Sequence, residues 1–275
     1  MNQKLTEILN DFTDIMKSTD GILGAWNFGS ASRGMSDEYS DVDIVFLVEG
    51  NKFKETENSL EVLLSRACDK VMLCWEEGFN GEAIVNNGYL LRKDDEVFQF
   101  DVFLLNKERI DDFMCRLHYT DLSEKDIVFD VNDNVKSLCE SCPKGNRWND
   151  DIKYLEKTYL YHFYMTAKYL MRKDYFKLNH VMRILFDTHA SLLLTGYDAI
   201  NWGGAENKLN FIPKDKQEHL KNYYCTEDFR VNKENLLKSA EWFKQDISDI
   251  LLKEGVCFNA DNWNLVKGHW GKVVK

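Results

Sequence analysis

Two aspartates two positions apart, Asp41 and Asp43, open the apolar run "VDIVFLV", and Gly29-Ser30 stands upstream in "FGSASRGMSDEYSDVDIVFLV". On a strand such a pair projects from one face and can share a ligand. Carboxylates held that close repel each other, which exposure, a shared proton or a divalent cation offsets. Magnesium suits the pair because it takes oxygen ligands and fills its other positions with water and substrate phosphates. A glycine permits close backbone approach, and the adjoining hydroxyl and amides can hold phosphate oxygens. A third acid, Asp101, lies between β-forming apolar residues in "VFQFDVFLL". That is a costly location unless its carboxylate reaches the same metal or solvent.

Positioning these groups requires strands. Leu5, Ile8, Leu9, Phe12, Ile15 and Met16 follow a helical face that Asp20-Gly21 stops, and short apolar strands are predicted over 22–28 and 42–48. A helix over about 53–68 and a strand over 71–75 come next. "AIVNNGYLLRKDD" carries an Asn-Gly turn signal at Asn87-Gly88 between apolar runs, and "EVFQFDVFLL" reads as a strand. A helix from about 107 to 117 and an extended piece at 126–131 complete a mixed sheet with helices, not a series of βαβ units.

The character changes at "CPKGNRWNDD". Residues 1–142 are therefore expected to form one domain and 143–275 another. In the second, 152–171 and 178–194 are helical in pattern, "TGYDAINWGG" interrupts the chain, and further helices are predicted around 216–223 and 233–253. The expected fold class is α+β, an N-terminal mixed-sheet domain followed by a C-terminal α-helical one.

Composition narrows the function. A net charge of −11 over 275 residues argues against a broad nucleic-acid footprint and leaves room for a small or cationic partner. No apolar run is long enough for a membrane span, and the first residues lack the pattern of an export signal. Seven scattered cysteines do not form a disulfide framework, so a cytoplasmic location with free thiols is expected. Cys139 and Cys142 have no partner motif for zinc or redox work. Ser40 is expected to cap its loop. Arg183 and Asp187, at i and i+4, read as an ion pair within a helix, with Asp187 facing an acceptor as the other option. The tyrosines at 154, 159, 161, 164 and 169 are either core or a stacking surface. The loop "GYDAINWGG", with Trp202 and two glycines after it, reads as a cleft rim.

"GSASRG", then "SDVDIVFLV", then the acid in "FQFDVFLL" together resemble the nucleotidyltransferase superfamily related to DNA polymerase β. Size class and a helical second half are similar to the bacterial enzymes that modify aminoglycosides and lincosamides. The resemblance implies that Asp41, Asp43 and Asp101 bind magnesium and carry catalysis, with Asp101 the first choice as base. It also implies that Gly29, Ser30 and Arg33 contact the nucleoside triphosphate, with ATP expected. The implied reaction moves a nucleoside monophosphate, AMP by expectation, to a hydroxyl of a small-molecule acceptor such as a cationic antibiotic. Two alternatives stand beside it: an enzyme that transfers AMP to a protein, and a non-catalytic nucleotide sensor.

Overall fold

The computed structural model describes residues 2–34, 36–199, 201, 204–253, 255–258 and 260–275. The chain divides into two compact units, Met1–Lys144 and Gly145–Lys275.

In the first unit, α1 (Gln3–Lys17) starts at Asn2, whose side chain accepts from the Lys4 amide at 2.9 Å, and buries Leu5, Ile8, Phe12 and Met16 along one face. Then come β1 (Ile22–Asn27), β2 (Val42–Val48), α2 (Gly50–Leu64), β3 (Lys70–Glu76), β4 (Ile84–Lys93) and β5 (Glu96–Asn106). α3 (Phe113–Tyr119), β6 (Ile127–Asp130) and α4 (Asn134–Ser141) finish it. The strands form one sheet in the order β3-β4-β5-β2-β1-β6. β2 and β5 are parallel, and the other described pairs are antiparallel.

Alternation along these strands separates two faces. Val42, Ile44, Phe46 and Val48 of β2 join Phe98, Phe100, Val102 and Leu104 of β5 in a core with Phe12 of α1 and Leu60 and Leu64 of α2. Phe12 meets Phe46 and Phe100 edge-on at 5.6 and 5.8 Å. On the opposite face a smaller core covers only one end of the sheet. There Val45, Leu47, Phe103 and Leu105 pack with Cys115 and Tyr119 of α3 and Val135 near the start of α4. Asp43 and Asp101 belong to this second face, just beyond its apolar cover.

Two expectations need correction. Asn87-Gly88 is no turn: β4 runs unbroken through it, and the chain reverses at Asp94-Asp95, where Lys93 pairs with Glu96 and Asp94 takes φ +55°. Asp tolerates that left-handed backbone, so "KDDE" supplies the hairpin instead. The helix expected from 107 is a single 3₁₀ turn, Lys107–Arg109, followed by the separate α3.

The second unit is helical: α5 (Ile152–Met171), α6 (Tyr175–Gly196), α7 (Lys214–Leu220), α8 (Phe229–Lys253) and α9 (Asp261–Val273). Asp151 and Asp174 cap α5 and α6 through the Lys153 and Lys177 amides. Tyr159 stacks on Phe243 at 3.7 Å between centroids, and Trp263 and Trp270 extend this aromatic core. Of the tyrosines on α5, Tyr159 is core, whereas Tyr154, Tyr161 and Tyr164 are exposed. Arg183 does pair with Asp187, at 3.0 Å, and also with Glu206. Trp202 lies outside the described residues.

Candidate active site

β2 and β5 are in register with Asp43 opposite Asp101. Paired residues of a parallel ladder share a face, so topology alone brings together two carboxylates far apart in sequence. Asp41 precedes β2 by one residue and lies near enough for its charge to act on both others.

The turn after β1 closes on the same place. The Phe28 amide donates to the Asp43 carbonyl at 3.0 Å, which extends the β1–β2 pairing to the edge of the turn. Gly29 follows at φ +60°, and a Cβ there would stand 2.0 Å from Asp43 Oδ2. Glycine is thus required twice, for its backbone angle and for the approach of the carboxylate. Ser30 Oγ is buried and has no hydrogen-bond partner. An unmet hydroxyl in the residue after Gly29, which itself abuts the Asp43 carboxylate, is a polar demand that a phosphate oxygen would satisfy. Residues Ala31–Arg33 form a 3₁₀ turn ending at Gly34, φ +65°. The Arg33 side chain lies outside the described residues. Ser40 acts locally, its Oγ accepting from the Asp37 amide at 2.8 Å.

The electrostatics reflect the crowding. Burial, then Asp41, then Asp101 push the Asp43 carboxyl up to about 7. Asp101 is also raised, first by burial and then by Asp41 and Glu77, against a hydrogen bond from Gln99 Nε2 to its Oδ2 at 2.9 Å. Each carboxylate here is held among like charges, a condition that a proton or a cation relieves.

As the side chains stand, no three His, Cys, Asp or Glu among the described residues are close enough to hold a metal ion. The donor chemistry nonetheless suits a hard divalent cation. Two carboxylates share a face on paired strands, a third acts on both, and an unpartnered hydroxyl belongs to the residue after Gly29, against which Asp43 is packed.

Three contributors went unread in the sequence. Gln99 could have been found, because it sits two residues before Asp101 and so on the same face. Glu77 and Gly88 could not, since their positions depend on how β3 and β4 pair. Gly88 lies opposite Asp101, and a Cβ there would come within 2.8 Å of Asp101 Oδ1.

Residues 9–114 match the model of the nucleotidyltransferase domain family. No curated protein matches the chain by sequence. Among solved structures the chain is similar to an aminoglycoside 6-adenyltransferase from Bacillus subtilis, at 12% identity and a TM-score of 0.40, over 99% of each chain. Residues 9–114 take in the Gly29-Ser30 turn and all three acids. The N-terminal unit thus carries a match to the nucleotidyltransferase domain family over residues 9–114.

Proposed function

We propose that the chain transfers a nucleoside monophosphate, AMP by preference, from a nucleoside triphosphate to a hydroxyl of a small cationic molecule of the aminoglycoside or lincosamide type. The observation that carries this reading is the registered pair Asp43 and Asp101 beside the Gly29-Ser30 turn. Gly29, Ser30 and Arg33 would hold phosphate oxygens. Asp41, Asp43 and Asp101 would hold magnesium, which when bound neutralises triphosphate charge and draws electron density from the α-phosphorus.

The acceptor oxygen bonds to the α-phosphorus as the bond from that phosphorus to the bridging oxygen breaks. Pyrophosphate departs with the electron pair, and the hydroxyl proton passes to Asp101. The net charge of −11 favours a cationic acceptor.

Pyrophosphate release from ATP and magnesium, measured against a panel of aminoglycosides and lincosamides, tests the reading. At least one should stimulate release, and a flat panel removes the small-molecule acceptor. Thermal melting supplies an independent arm: magnesium with a non-hydrolysable ATP analogue should raise the midpoint by mass action. No shift under saturating analogue would remove the nucleotide site itself.

A further inference from the structure

The row that holds Asp43 and Asp101 continues across the sheet. Asp101 pairs with Gly88 of β4, and Gly88 with Trp75 of β3. Trp75 therefore stands on the carboxylate face, two strands or roughly 10 Å from β5. Although it belongs to a strand, it is 65% exposed. In the next row Leu73 pairs with Leu90, and these are 48% and 38% exposed. Gly88 keeps the floor between Trp75 and Asp101 free of any side chain.

Acids border this apolar floor. Glu77 follows Trp75 by two residues, and its charge reaches Asp101. The cations Lys70 and Arg92, paired with each other, lie two rows from Gly88. An exposed aromatic ring beside carboxylates is complementary to a ligand that has both apolar faces and positive charges.

Strand order assigns the direction. The Gly29-Ser30 turn follows β1, on the far side of β2 from β5. Turn and Trp75 thus occupy opposite ends of the row, with the acids between. Displacement at phosphorus sets the attacking and leaving oxygens roughly in line. With phosphates held at the β1 end, the acceptor approaches from the β5–β3 end.

We propose that Trp75 is the acceptor platform: its indole takes the apolar face of an amino sugar while Glu77 takes an ammonium group. This rests on the reading of the chain as a transferase to a small cationic acceptor. The platform fixes where the acceptor lies, so it governs acceptor affinity and leaves nucleotide affinity alone.

Calorimetric titration of the full-length protein with kanamycin, streptomycin and lincomycin tests binding, and pyrophosphate release with ATP tests turnover. At least one probe should bind the wild type. For that probe, Trp75→Ala should weaken binding and raise KM about tenfold or more, with kcat changed less than about threefold and KM for ATP less than about twofold. Trp75→Phe, which keeps a ring, should restore most of the affinity, and Glu77→Gln should cost about threefold to tenfold. A rise in KM for ATP in place of the acceptor, binding by Trp75→Ala equal to wild type, or no binding of any probe to wild type would each overturn the platform. If binding depends on Trp75 but no probe releases pyrophosphate, the platform stands and the transfer reading falls. If a probe is turned over equally well by Trp75→Ala, the reverse holds.

Discussion

Two aspartates in this chain have opposite surroundings. Asp246 of α8 is buried in the helical unit, and burial alone would raise its carboxyl. It instead sits near 2, because His189 Nε2, His219 Nδ1 and Lys216 Nζ donate to it at 2.9, 2.7 and 2.6 Å. The arrangement continues outward: Tyr159 and Tyr223 join hydroxyls at 2.8 Å, and Tyr223 meets His189 Nδ1 at 2.9 Å. A neutral His189 that accepts from Tyr223 and donates to Asp246 satisfies every partner, in keeping with burial pushing its pKa down. Asp43 has no such company. The neighbours that shift it are carboxylates, and it rises to about 7. A buried charge whose partners are already present serves architecture, and one left among like charges points to a ligand.

The contrast breaks most sharply at Asp43. Asp43→Asn should lower pyrophosphate release by about a thousandfold. Its thermal midpoint should hold or rise, because one of three like charges is gone. Full activity in this variant would refute the assignment of Asp43 to the cation.

Asp246→Ala should do the opposite, since it removes the carboxylate shared by His189, His219 and Lys216 and leaves Lys216 only its pair with Asp249. A loss of about 3–5 kcal/mol in urea unfolding is expected. A loss below about 1 kcal/mol would show the network to be incidental.

Acidity sharpens the same comparison. His189 is held below 6.5 in the folded chain, so the unfolded chain takes up its proton first as pH falls. Stability should therefore be full above 6.5 and decline below it, by up to about 1.4 kcal/mol per pH unit for one proton. Asp246 adds a second decline between 3.8 and about 2, where the unfolded carboxylate is protonated and the folded one is not. Urea midpoints for the helical unit that stay level from about pH 7 down to about pH 5 would contradict the first phase.

At the small end stands Arg183, whose pairs with Asp187 and Glu206 are half-exposed. Arg183→Ala should cost about 0.5 kcal/mol or less by the same measurement. A larger loss would mean that surface pairs in this unit carry weight comparable to its buried ones.

Legibility in the sequence followed the same division. The run "VDIVFLV" announces β2 because every residue but Asp43 is apolar, and Ile152–Met171 announces α5 by its period. Segments whose structure depends on partners were harder to read. α4 is short, and its start is held by Asp130, which accepts from the Val135 and Lys136 amides. No local period records that arrangement. Asn87-Gly88 has the chemistry of a turn, yet the pairing of β4 with both β3 and β5 overrides it. Of the site, residue types and the Gly-Ser spacing were visible in the sequence. The register that sets Asp101 opposite Asp43, and so Trp75 in the same row, exists only once the sheet has formed.

That register also bears on how the enzyme comes into being. β2 and β5 are parallel, and helix α2 and strands β3 and β4 lie between them in the chain. Closing so long a loop must precede the contacts that reward it, so this is among the slower pairings to form. A slip of one residue would turn Asp101 into the phenylalanine core and Phe100 out toward the acids. During refolding, regained transferase activity should therefore lag behind regained helix, as a late reporter that this one pair of strands has met in step.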